Sequence, residues 1–101
     1  MTKYVLLGST KNITVTVTSD GTETDLTSPT AKLYDSSQTL LHTFTPTGTP
    51  TQMQHVSTGV YAVVIDTDTL ELNAGSYYVE VSGTIDSLHR AHREQLIVRF
   101  A

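Results

Sequence analysis

Apolar and polar positions alternate along most of this chain. In NITVTVTSD, Ile13, Val15 and Val17 fall on one side of an extended backbone, and Thr14, Thr16 and Thr18 on the other. Successive side chains of a strand point to opposite faces, so this is a strand with one face on a core and one in water. Asp20-Gly21 predicts a turn. In TDLTSPTAKLYD, Leu26 is expected to tuck under the core ahead of Pro29 and a strand carrying Ala31 and Leu33. Ser36-Ser37 turns the chain into QTLLHTFT, and TPTGTP at 45–50 has the composition of a loop. A strand around Gln52–Val56 leads to STGVYAVVID, with Tyr61, Val63 and Ile65 inward. Val60, Ala62 and Val64 are apolar too, which predicts a strand covered on both sides or lying at a contact surface. SYYVEVSG places Tyr77, Val79 and Val81 inward. After an Asp86-Ser87 turn, EQLIVRFA does the same with Leu96, Val98 and Phe100.

The pattern predicts an all-β protein of about seven to eight short antiparallel strands, arranged as a β-sandwich, with no helix of useful length. No linker or change of composition divides the chain, so residues 1–101 are read as one domain. Nineteen of the residues are threonine and only 16% are charged. Threonine is stiff at χ1 and suits the wet face of a strand, which strengthens the choice of sheet over helix.

LNAGSYYVEV, residues 72–81, fits the tyrosine corner of immunoglobulin-like sandwiches. Leu72 plugs the end of the core, and Gly75 takes a positive φ where the chain turns upward. Tyr77, in phase with Val79 and Val81, buries its ring and turns its hydroxyl to the corner backbone. Tyr78 is out of phase and is the more plausible contact residue. Just upstream, Asp68 to Glu71 has the spacing of a capping box for a single helical turn.

Charge and composition narrow the function. With no cysteine, disulfides, thiolate metal sites and cysteine nucleophiles drop out. A net charge of −4 argues against nucleic acid as a partner, which calls for a basic field. The apolar run YVLL near the N-terminus is too short for a signal-peptide core or a membrane span. The protein is therefore expected to be made in the cytoplasm and to leave it only within a larger particle, with no membrane partner.

HRAHRE, residues 89–94, is the one segment with a reactive look. His89 and His92 lie three apart, which puts them on opposite faces of a strand and away from the spacing of helical zinc sites. Arg90 and Arg93 instead suggest a solvated positive patch at a protein–protein rim. Asp66 and Asp68 could ligate calcium, but the segment lacks the glycine and closing glutamate of an EF-hand loop. Turn and capping duty explains both. Ser9, Ser57 and Ser82 lack the context of an activated nucleophile, and no glycine-rich phosphate loop occurs. No catalytic residue, metal or cofactor is assigned, and the protein is read as not an enzyme.

KNITVTVTSDGTETDLTSPTAKLYD, STGVYAVVID, LNAGSYYVEVSGTID and the closing EQLIVRF together cover roughly residues 8–100. In this combination the chain resembles small immunoglobulin-like proteins of tailed-bacteriophage virions, including the N-terminal modules of baseplate upper proteins and small head- and neck-associated proteins. The position after "DLT", often glycine in that group, is Ser28 here, followed by Pro29. The resemblance implies a non-enzymatic virion component, a capsid decoration, cement or neck adaptor subunit. It would be present in many copies and bind other virion proteins of capsid, neck or tail. The alternative is a tail or baseplate module, or a glycan- or receptor-binding domain using Tyr78, Tyr34 and the loop at 45–50. Edge strands, such as the first (Thr2–Leu7) or the last (Glu94–Phe100), are expected to pair with neighbours.

Overall fold

The computed structural model describes residues 2–44 and 52–100. Among them there is no helix, and hence none long and apolar enough to cross a membrane. The loop expected at 45–50 lies outside the described residues.

Among the described residues, eight strands of five residues or more carry the fold: β1 (Thr2–Leu6), β2 (Thr10–Thr16), β5 (Thr27–Asp35), β6 (Leu40–Phe44), β7 (Met53–Ser57), β8 (Val60–Asp66), β9 (Gly75–Ile85) and β10 (Leu88–Arg99). Two short strands, β3 (Thr18–Ser19) and β4 (Thr22–Glu23), form a separate ribbon across the Asp20-Gly21 turn. Both turn residues have positive φ, 52° and 81°. Two successive positive φ angles match the twist of a two-residue hairpin, and Asp and Gly tolerate them. Asp86 and Ser87, at 51° and 66°, do the same between β9 and β10.

One sheet has the order β1-β10-β9-β5-β6 and the other β2-β8-β7. All their pairings are antiparallel except that of β1 with β10, which is parallel from Thr2↔Gln95 to Leu6↔Arg99. Burial alternates along the strands. In β8, Tyr61, Val63 and Ile65 are buried while Val60, Ala62 and Val64 are half-buried. The inner faces of both sheets join in one cluster, with Ile13, Val15, Met53, Tyr61, Val63 and Ile65 from the smaller sheet. The larger sheet contributes Ala31, Leu33, Phe44, Val79, Val81 and Leu96, among others. Two sheets closing over one core is compatible with a β-sandwich.

Two expectations need correction. Phe100 is 79% exposed, because β10 ends at Arg99 and Phe100 lies past the last paired residue of β1. Phase alone cannot bury a side chain where no opposing strand continues. The last strand is also no edge, since β10 is flanked by β1 and β9 and the edges of that sheet are β1 and β6.

Candidate functional site

The corner at 66–77 is held by its own polar groups. Asp66 Oδ1 accepts the Asp68 and Thr69 amides at 3.1 and 3.3 Å, and Oδ2 accepts the Thr69 hydroxyl at 3.0 Å. These bonds, the Thr69 amide foremost and then its hydroxyl, hold the Asp66 carboxyl below the usual carboxylate range. The chain makes turns here and no helix, with Leu70 N–H on Asp66 C=O and Leu72 N–H on Thr67 C=O. The capping residue is thus Asp66, two positions before the expected Asp68. The Asp66 carboxylate is satisfied within its own turn. No group of three or more His, Asp or Glu that could hold a metal occurs among the described residues.

Leu72 is buried and Gly75 has a φ of 153°, outside the range an ordinary side chain favours. The Tyr77 ring is buried, and its hydroxyl accepts Asn73 N–H at 3.2 Å while donating to Asn73 C=O at 2.9 Å. One hydroxyl therefore satisfies a donor and an acceptor of the turn that leads into β9.

Tyr78 is half-buried and pairs across strands with Tyr34 of β5. The Arg93 guanidinium lies over both rings, 4.8 Å from the Tyr34 centroid and 5.9 Å from that of Tyr78. Arg93 also donates to Glu80 Oε2 at 2.7 Å and to Gln38 Oε1. The two tyrosines are covered by an arginine of their own sheet, so they present no bare stacking platform. Arg90 and Arg93, three apart on one strand, fall on opposite faces and form no single patch. Arg90 instead lines an open crevice of about 370 Å³ with His89, His92, Thr18, Ser19 and Asp20 of the ribbon.

One polar cluster was not anticipated from the sequence. Asp25 Oδ1 accepts Gly59 N–H at 2.7 Å and contacts His55 Nε2 at 2.8 Å. The Gly59 amide chiefly, and then the His55 imidazole, keep the Asp25 carboxyl below its ordinary value. Beside it, Tyr61 Oη accepts Leu26 N–H at 2.8 Å, and the His55 ring meets Tyr61 edge-on at 5.4 Å. Val17 N–H donates to Gly59 C=O at 2.7 Å and Thr24 N–H to Val17 C=O at 3.0 Å. Gly59 has a φ of 71°, and a Cβ there would stand 2.7 Å from both Thr24 N and Val17 O. Only glycine fits. The signal was present in "DLT" and "GVY", but the two motifs lie more than thirty residues apart and only pairing joins them.

At the opposite end of the larger sheet from β6, the edge strand β1 carries Tyr4 and Leu6. The Arg99 guanidinium sits 4.0 Å from the Tyr4 ring centroid, and Lys11 Nζ donates to Tyr4 C=O at 2.8 Å. Comparison with protein-family models, curated proteins and solved structures finds no match to this chain.

Proposed function

We propose that this chain is an immunoglobulin-like assembly module, a non-enzymatic structural component of a tailed-phage virion that decorates or cements the capsid or adapts the neck through protein–protein contacts. The strand order supports the immunoglobulin-like reading. With β2, β5, β7, β8, β9 and β10 taken as strands B, C, D, E, F and G, the two sheets read B-E-D and G-F-C, with β6 as C′ and β1 beside G. A tyrosine near the start of strand F, bonded to the corner just upstream, agrees with that lettering.

The observation that carries the assembly reading is where exposed apolar side chains gather. Tyr4 and Leu6 on β1, and Leu40 and Leu41 on β6, are each between 43% and 48% exposed at the two edges of the larger sheet, while Val56 is exposed on β7, an edge of the smaller sheet, and Leu88 and Phe100 at the two ends of β10. A sheet edge offers unpaired backbone groups, and apolar side chains beside them add area that a neighbour can bury. Many copies on a lattice turn such modest contacts into firm attachment.

The test is co-sedimentation and electron microscopy of the purified chain with empty heads and with tails of the phage whose genome encodes it. Stoichiometric binding to heads or necks is expected, and Leu40→Ser with Leu41→Ser should weaken it. Failure to bind either heads or tails would overturn the virion reading.

A further inference from the structure

We propose that the outer edge of β1 is a docking site for an extended, acidic segment of a partner protein. The inference names the chemistry of the partner and rests on the assembly reading only for the use of a sheet edge.

Among the described residues β1 pairs with β10 alone, and on its other side Leu6 C=O accepts Ser9 N–H at 3.0 Å while Tyr4 C=O accepts the Lys11 ammonium. Along it lies an open groove of about 370 Å³ lined by Tyr4, Leu6, Ser9, Thr10, Lys11 and Arg99 among others, with no acidic side chain in the lining. In a chain of net charge −4, a groove holding two cations and no acid is a local reversal of sign.

The placement of those cations selects the occupant. Lys11 is in phase with Ile13 and Val15, so its stem runs from β2 toward the larger sheet and its ammonium reaches Tyr4 C=O at 2.8 Å. A strand laid along β1 meets that ammonium at a carbonyl of the edge itself. A neutral strand would displace the exposed ammonium to water and gain no attraction from it. An acidic side chain receives it, while the incoming backbone pairs with β1. Arg99 stands over Tyr4 on the outer face, where Leu6↔Arg99 and Tyr4↔Ile97 are register neighbours. It offers a second cation to a carboxylate on the other face of the added strand from the one that meets Lys11, at an odd separation, since side chains of one face recur every second residue. Lys11 thus guards the edge against indiscriminate pairing and makes it selective for strands that carry acid.

The probe is a short capped peptide of the repeat Val-Glu-Glu, which carries acid on both faces, compared with its Val-Lys-Lys counterpart, titrated into the full-length chain and followed by backbone amide shifts. The glutamate peptide is expected to shift the Thr2–Leu6 amides and to bind about tenfold tighter than the lysine peptide at low salt. Lys11→Glu with Arg99→Glu should reverse that preference. Lys11→Gln, which removes one of the two cations, should weaken it without unfolding the chain. No binding, shifts confined to β6 or β7, or equal affinity for both peptides would overturn the proposal. If the glutamate peptide binds β1 while heads and tails do not bind the chain, the virion reading falls and this surface stands. The reverse result leaves a virion module that uses another face.

Discussion

Tyr61 and Tyr77 do the same work at two places. Each buries its ring and sets its hydroxyl on backbone that would otherwise lack a partner, Leu26 N–H for one and both polar groups of Asn73 for the other. Removing either hydroxyl leaves the packing and strips the bonds. Tyr61→Phe isolates a single amide in a buried setting and should cost about 1–3 kcal/mol, the penalty of an unsatisfied buried donor. Tyr77→Phe loses two bonds, but at a part-buried turn that water can reach, so about 1–2 kcal/mol is expected. Urea denaturation of both variants checks the values and their order. Ser28 is a third residue with a clear consequence. It sits at a φ of 52°, where β5 and β9 slip register between Thr27 and Thr30. A side chain in that region carries strain of about 1–2 kcal/mol, partly offset in the unfolded chain if glycine replaces it. Ser28→Gly should therefore stabilise the protein by about 0.5–1 kcal/mol. That would appear as a rise of roughly 4 °C in Tm. An unchanged or lower Tm would show that the serine hydroxyl has compensating contacts.

Among the elements, the link between the start of β5 and the β7–β8 hairpin is the most informative. Asp25 and Leu26 precede β5, while His55 lies on β7, Gly59 in the turn after it and Tyr61 on β8. The bonds from Asp25 to Gly59 and from Leu26 to Tyr61 fasten these elements together at one end of the core. Gly83 of β9 closes up to the same place, since a Cβ there would stand 2.8 Å from Thr27 O and 3.0 Å from Leu26 Cβ. The Asp25 bond has a pH signature. Its carboxyl is depressed in the folded chain by the Gly59 amide and the His55 imidazole, relative to the usual value of about 3.9 when unfolded. The contribution is therefore present above that unfolded value and is lost as pH falls through the folded one. Acid titration of stability should decline below about pH 4, and Asp25→Asn should flatten that limb while leaving the rest of the curve in place. Asp66, depressed by its Thr69 bonds, contributes a limb of the same sign, so the Asp25→Asn curve should flatten without becoming level.

For the whole molecule, the pairing of β1 with β10 joins the two ends of the chain in parallel, Thr2 beside Gln95. Contacts of that separation are slow to form, because loop closure must precede the pairing that rewards it. Both sheets also share one hydrophobic cluster. Folding should accordingly be slow, in milliseconds to seconds, and equilibrium unfolding should be a single transition. Far-ultraviolet circular dichroism and tyrosine fluorescence should give coincident midpoints. Separate midpoints would show that one sheet can lose its structure while the other persists. At this scale the outward surfaces matter for the proposed assembly: two edges with exposed Tyr4, Leu6, Leu40 and Leu41, and an outer face where Arg93 covers Tyr34 and Tyr78.

Alternation of apolar and polar residues determined which face of β2, β8 and β9 meets the core, because a strand's side chains alternate whatever lies beside it. Leu72, Gly75 and Tyr77 were legible together for a related reason, since the corner's bonds span only four residues. Other features depended on partners distant in sequence. Arg93 belongs to Tyr34, Gln38 and Glu80 only once β5, β9 and β10 lie side by side. Phe100 has the right phase for the core, but no strand continues far enough to cover it. The last strand reads as an edge until β1 is laid against it, and Lys11 acquires meaning only beside Tyr4. Local backbone geometry repeats every two residues and is written in the chain. Which strand becomes a neighbour is settled by closing two sheets over one core, and that choice placed the motifs "DLT" and "GVY" in contact.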